Sequence, residues 1–247
     1  MINADLRELL APLEKMDRFV LGQLGQSLDG RIATVTGHSH YINGTKDIER
    51  LHRVRALADA VVVGANTVEL DNPSLTVRKA QGTNPVRVVL DPRSRLAETY
   101  SIFTDDEAPT LWMQSIEATA KNEDKRLRDG IQIVPLQEGV KGFSPAAVID
   151  ELRNRGLNRI LIEGGGLTVS QFLAEDLLDR LHISHHLVAH AVGSVALAVG
   201  GAVLEAANQA QRHLGLAVRR DEVPILVVAV LHHRDSMVGA RNHFHVA

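Results

Sequence analysis

The 247-residue sequence contains no cysteine. That absence removes disulfides, thiolate zinc sites, iron–sulfur clusters and cysteine nucleophiles together. Aromatic residues make up only 3% of the chain, and the formal net charge is −3, from 27 Lys and Arg against 30 Asp and Glu. Neither a basic face nor a supply of stacking rings is there for nucleic acid, which points to a small ligand instead. Long apolar runs are missing as well. The most apolar stretch, AVGSVALAVGGAVL (191–204), is fourteen residues long and carries four glycines or serines. A helical bilayer span needs about 20 apolar residues. The N-terminal MINADLRELLAPLEKMDR mixes acids and bases from residue 5 onward, unlike a signal peptide, and reads as a short amphipathic helix. The expectation is a cytoplasmic protein without membrane contact. No G-x-S-x-G nucleophile elbow occurs, and GGGLTV (164–169) lacks the G-x-G-x-x-G spacing of a dinucleotide fingerprint.

What is there is a globular composition, 45% hydrophobic, of a length that suits one large α/β domain. Short β-branched runs predict strands at 19–26, 60–64, 85–91, 110–113, 131–136 and 159–164. Helical patterns lie between them at 45–58, 121–129 and 168–181. SPAAVIDELRNRG (144–156) adds a further helix, with Ser at the N-cap, Pro at the first helical position and Gly just past the end. Alternating strand and helix predicts a mostly parallel central sheet flanked by helices, because parallel strands need long crossovers. After residue 181 the pattern changes to strands at 181–188, 213–220 and 224–233, and the short DEV turn predicts a C-terminal antiparallel hairpin. With no repeat or linker in view, residues 1–18 form an N-terminal helical extension and 19–247 a single domain.

Several strand ends carry polar clusters. RILIEGGGLTVSQFL (159–173) runs from a buried-type strand through Glu163 and three glycines into a helix. Glycines there let backbone approach a ligand, and the helix N-terminus favours a phosphate, although a plain tight turn explains the same letters. Glu163 is either a turn acceptor or a group that binds heterocycle N–H or relays a proton. Asp29–Gly30 reads first as a turn. Asn66, Thr67 and Asp71 follow the strand AVVVG, and Pro73 extends the segment that delivers Leu75 and Arg78. Arg55, on the helix over 45–58, meets Arg78 around one anion in the sharper of two readings; in the blander one both are solvated charges. The alternating pairs His38/His40 and His243/His245 share a strand face, but no carboxylate stands at a matching spacing, so no metal is expected.

Taken in order, GQSLDGRIA, GHSHYI, ERLHRVRALADAVVVGANTVELDNPSLTVR, PVRVVLDPRSRL and ILIEGGGLTVSQFL resemble the reductase domain of riboflavin biosynthesis, a dihydrofolate-reductase-like family. The resemblance covers roughly residues 19–200 and implies a single dihydrofolate-reductase-like α/β domain. It also implies NADPH-dependent conversion of the ribosylamino group of a phosphorylated aminopyrimidine to ribitylamino, with the ring deaminated or not. By matching positions, Gly25, Tyr41, Thr67, Asp71, Pro92 and the turn Gly165, Gly166, Leu167 and Thr168 would contact NADPH. Ser39, Arg55, Leu75 and Arg78 would hold the ribose phosphate, Glu163 the pyrimidine ring, and Asp29 with Glu163 would handle protons. Arg93 and Arg95 of PRSRL, which follow a strand, are either contacts for a 2′-phosphate or plain surface charge, and family members pair as homodimers. The chain departs from the pattern at AHAVGS (189–194), in its tail from about residue 205, and in lacking a zinc deaminase domain. Those departures keep two alternatives open: a same-fold oxidoreductase acting on an unrelated small carbonyl or imine, and a phospho-ligand binding module without turnover.

Overall fold

Runs such as AVVVG and RILIE bury side chains on both faces, and strands of that kind persist only when helices cover the sheet on each side. The computed structural model has that architecture, and it describes residues 4–27, 45–121, 127–186, 229–232 and 245–246. The chain order begins α1 (Ala4–Glu14), β1 (Phe19–Ser27), α2 (Thr45–Leu57), β2 (Ala60–Gly64), α3 (Ala65–Asp71) and β3 (Val86–Leu90). It continues α4 (Ser101–Thr104), β4 (Thr110–Ser115), α5 (Ile116–Ala120), β5 (Ile131–Leu136), the two-residue strands β6 (Glu138–Gly139) and β7 (Gly142–Phe143), and α6 (Pro145–Asn154). Then come β8 (Arg159–Glu163), α7 (Gly166–Ala174), β9 (Arg180–His186), β10 (Ala229–His232) and β11 (His245–Val246).

The main sheet has the order β11-β10-β9-β1-β8-β2-β3-β4-β5. From β9 to β5 all pairings are parallel, while β10 runs antiparallel to both β9 and β11. Period-two alternation divides each central strand between two cores. On one face Val61, Val63 and Leu161 meet Leu51 and Val54 of α2 and Leu10 and Leu13 of α1. On the other, Val62, Ile160 and Ile162 meet Val148 and Leu152 of α6 and Val169 and Phe172 of α7. Among the described residues no helix is long and apolar enough to cross a membrane.

Two helix predictions are corrected. The helix expected over 168–181 occupies Gly166–Ala174. It stops at Asp176, whose φ of 56° is left-handed, and Leu178 and Leu181 join the core beside β1 instead of continuing the helix. Their apolar spacing suits both outcomes, and strand pairing decides. Lys121, where a helix over 121–129 is expected to begin, is instead the C-cap of the short α5, whose N-cap Ser115 accepts the Ala118 N–H at 3.1 Å. Residues 127–130 are not helical, and 122–126 lie outside the described residues. The segment KNEDKRLRD has no apolar stripe to dock a helix. Ser144 occupies the N-cap of α6 as expected, yet its side chain makes no capping bond. The strand expected at 213–220, and with it the DEV turn, lies outside the described residues; of 224–233, the described part 229–232 is β10.

Candidate active site

The sheet order fixes where a ligand site forms. From β2 the chain moves outward through β3 and β4 to β5, whereas from β8 it moves the other way, past β1, to β9. Since β2 and β8 are neighbours, their carboxyl ends part and leave a crevice, the place where open α/β sheets take ligands. A cavity of about 1130 Å³ opens there. Its walls come from the carboxyl ends of β1, β2, β3 and β8, from α2, the 72–78 loop and the β6–β7 hairpin.

Glycines set the floor. Gly64 ends β2 and Gly164 and Gly165 follow β8, and the two turns pack closely against each other's threonines. A Cβ on Gly64 would stand 2.7 Å from Thr168 Oγ1, and one on Gly164 would stand 3.1 Å from Thr67 Oγ1. Gly164 also has φ of 145°, where side chains are strained. The Gly165 N–H donates to Thr67 Oγ1 at 2.8 Å, tying the start of α7 to α3. The first turn of α7 lines the cavity through Gly165, Gly166, Leu167 and Thr168, and a helix start of this kind suits an anion or a polar ring edge.

The α2 wall is built from charge. Arg55 and Glu163 form a nearly buried forked pair: Nε donates to Oε2 at 2.8 Å and Nη2 donates to Oε1. Arg55 Nη1 donates to the Thr76 carbonyl at 3.0 Å. Burial opposes the charge of Arg55, but the Glu163 carboxylate outweighs it through charge and hydrogen bonds, so the arginine pKa is raised. One turn earlier, His52 Nδ1 accepts the Arg78 backbone N–H at 3.0 Å. Burial, reinforced by the Arg55 and Arg78 charges, lowers the His52 pKa; Glu163 and a hydrogen bond with the Thr76 backbone partly oppose the shift. Arg78 Nη1 donates to Thr76 Oγ1 at 3.2 Å. Leu75, buried against the cavity, has φ of 54°.

Asp91 shapes the third wall. Fully buried, it accepts the backbone N–H groups of Arg95 and Leu96 and the indole N–H of Trp112, each at 3.1 Å. Those bonds fold 92–96 into a turn that carries Pro92, Arg93 and Arg95 to the rim. Arg95 is tethered there by Glu69 and Asn66. Behind the α2 wall lies a buried network in which Arg50 donates to Asp47 at 2.8 Å, Gln23 at 2.7 Å and Ser184 at 3.0 Å. His182 Nδ1 stands 3.4 Å from Arg50, and its pKa is well below the ordinary value because of burial and the Arg50 and Arg180 charges, against an opposing Asp47.

Most of the expected site residues meet in this one cavity. Arg55, Leu75, Arg78 and Glu163 line one side, Gly25 and Pro92 the strand ends, Thr67 and Asp71 α3, and Gly165, Gly166, Leu167 and Thr168 the start of α7. Asp29, Ser39 and Tyr41 lie outside the described residues, as do His38/His40 and His243. The pairing of Arg55 with Glu163 adds a duty that the sequence did not reveal. His52, Thr76 and Asp91 were also missed; a histidine one turn before an arginine on the same helix was the one available signal. The β6–β7 hairpin went unread too, and its Lys141 carbonyl accepts Gln171 Nε2 at 2.9 Å.

Residues 18–212 match the RibD C-terminal domain. The chain belongs to that family. Among curated relatives, the 2,5-diamino-6-ribosylamino-4(3H)-pyrimidinone 5′-phosphate reductase of Methanothermobacter thermautotrophicus is 34% identical over 171 residues, covering 68% of this chain and 77% of that protein. The Aquifex aeolicus protein of the same description is 30% identical, covering 71% and 79%. The riboflavin biosynthesis protein RibD of Aquifex aeolicus is 34% identical over 157 residues, 63% of this chain, but the match spans only 42% of that longer protein. The fold likewise matches the Thermotoga maritima deaminase/5-amino-6-(5-phosphoribosylamino)uracil reductase, with a TM-score of 0.62 at 22% identity over 98% of this chain and 58% of that one. The Saccharomyces riboflavin biosynthesis reductase Rib7 gives 0.60 at 19% identity, covering 78% of this RibD-family chain and 88% of its own.

Proposed function

We propose that this RibD-family chain reduces the ribosylamino group of a phosphorylated aminopyrimidine to ribitylamino in riboflavin biosynthesis, drawing hydride from NADPH. The observation that carries the reading is the convergence of Arg55, Arg78 and Glu163 in one crevice that is also lined by the glycine-rich start of α7. Relatives that share its sequence over most of their length are named for that reduction.

The residues fit a nicotinamide cofactor. Gly165, Gly166, Leu167 and Thr168 line the cavity at the start of α7, beside Thr67, Asp71 and Pro92, and the Thr67 hydroxyl anchors the turn. When bound, the cofactor supplies hydride to C1′ of the opened sugar. The chain's own residues position and polarise. Glu163, both of whose oxygens are held by Arg55, accepts N–H groups of the pyrimidine; Arg78, with Arg55 behind it, attracts the ribose phosphate; Asp29 and Glu163 are the proposed proton-handling groups. Arg93 and Arg95 stand at the rim as the proposed contacts for a 2′-phosphate, the basis for preferring NADPH to NADH.

The test is NADPH oxidation followed by absorbance with the ribosylamino pyrimidine phosphate, beside a panel of unphosphorylated carbonyl compounds. Turnover confined to the phosphorylated pyrimidine is expected; activity on the panel alone would replace this reading with that of a general carbonyl reductase. Calorimetry is expected to give tighter binding of NADPH than NADH. A homodimer is also proposed, as the family resemblance implies, and light scattering at tens of micromolar, an order-of-magnitude choice for obligate dimers, checks it.

A further inference from the structure

We infer that His52 is a positioning residue for Arg78: as a neutral imidazole it accepts the Arg78 backbone N–H and so fixes where that guanidinium stands in the cavity. The inference rests on the proposed phosphate-binding role of Arg78. Its basis is geometry. His52 is 2% exposed and holds Arg78 N at 3.0 Å, while Arg55, one turn later on α2, holds the Thr76 carbonyl at 3.0 Å. Two successive α2 side chains thus pin the backbone of 76–78. The segment needs pinning because it begins at Leu75, whose left-handed φ of 54° persists in a leucine only when neighbours impose it.

The role demands one protonation state. To accept, Nδ1 must be bare, which leaves the imidazole proton on Nε2. The charged groups facing the ring are Arg55 from its own helix, Arg78 from the loop and Glu163 from β8. Protonation would remove the acceptor and place a third cation beside two arginines. Burial and those arginines already lower the histidine pKa, which keeps the accepting form dominant at neutral pH.

The experiment compares His52→Leu, which has no acceptor, with His52→Asn, whose Oδ1 replaces Nδ1 and does not titrate. For the phosphorylated pyrimidine, His52→Leu is expected to raise KM about tenfold, the loss of one well-placed hydrogen bond, with cofactor Kd within about twofold. His52→Asn should keep the wild-type KM at neutral pH. As pH falls below 6.5, the ordinary imidazole value, the ratio of wild-type KM to that of His52→Asn should climb. Phosphate ionisation, near pH 6 for a monoester, affects both enzymes alike and cancels in the ratio. A wild-type KM in His52→Leu, or a pH-independent ratio, overturns the inference, as does equal weakening of cofactor and substrate. Imidazole ¹⁵N NMR of the wild-type protein reports the tautomer independently; a proton on Nδ1 would also overturn it. If Arg78→Ala leaves KM unchanged, the phosphate reading fails while the NMR result still decides whether His52 accepts.

Discussion

Arg55 and Arg78 are both candidate phosphate ligands, yet the protein treats them differently. Arg78 is exposed at the cavity, whereas Arg55 is buried against Glu163. Each is expected to lower kcat/KM about ten- to a hundred-and-fifty-fold when changed to alanine, the worth of a charge-assisted hydrogen bond, with cofactor affinity within about twofold. Stability separates them. Arg78→Ala should unfold like wild type, but Arg55→Ala strands a nearly buried carboxylate and should cost toward the lower end of about 3–5 kcal/mol, because Glu163 still opens on the cavity. Denaturant titrations beside the kinetics check both halves, and lysine at either site should restore charge without the fork. Histidines set the acid limit. His182 and His52 both have folded pKa values below the unfolded 6.5. A depressed histidine leaves stability intact above that value and erodes it as pH falls toward the folded one, since only the unfolded chain takes up the proton freely. The denaturation midpoint should therefore drop below pH 6.5, and His182→Gln should flatten that drop.

Elements turn these side chains into a site, and the 92–96 turn is the one most dependent on a single residue. Asp91→Ala would leave three N–H donors without their acceptor, at about 1–3 kcal/mol for each that stays unsatisfied. The expected outcome is weaker cofactor binding by calorimetry, with substrate KM less affected because the α2 wall is separate; Asp91→Asn, which keeps one acceptor oxygen, should fall between. Strands were the most legible part of the fold. The spans of β2 and β5 agree with the runs at 60–64 and 131–136; β2, buried on both faces, writes itself as an unbroken apolar run, while β5 at the sheet edge carries Gln132 within its run. Helix ends were less so. No helix is expected over ANTVELD, yet it forms α3, with Val68 drawn into the core. The site was visible as polar and glycine-rich stretches after strands, but not the partners within it. Arg55 and Glu163 stand 108 residues apart and meet only because β8 returns to the middle of the sheet.

At the scale of the molecule, that return determines how assembly can proceed. Leu21 and Val61 both pair with Leu161, so among the described residues β8 is the only strand joining the β1 side of the sheet to the β2 side. Until it arrives there is no continuous sheet, and two apolar strands have bare edges facing one another. About 95 residues separate Gly64 from Arg159, which at synthesis rates of about 5–20 residues per second is a wait of about 5–20 s. A nascent chain in that interval is a template for wrong partners. Ribosome-bound chains ending at residue 158 should be digested by protease throughout, while chains carrying β8 and α7 free of the exit tunnel should gain protection in β1 and β2 together. Protection of β2 through β5 before β8 emerges would show instead that half the sheet folds alone. The strand that brings Glu163 to Arg55 is thus also the keystone of the sheet, and the pair cannot form in any chain in which β8 has not yet docked.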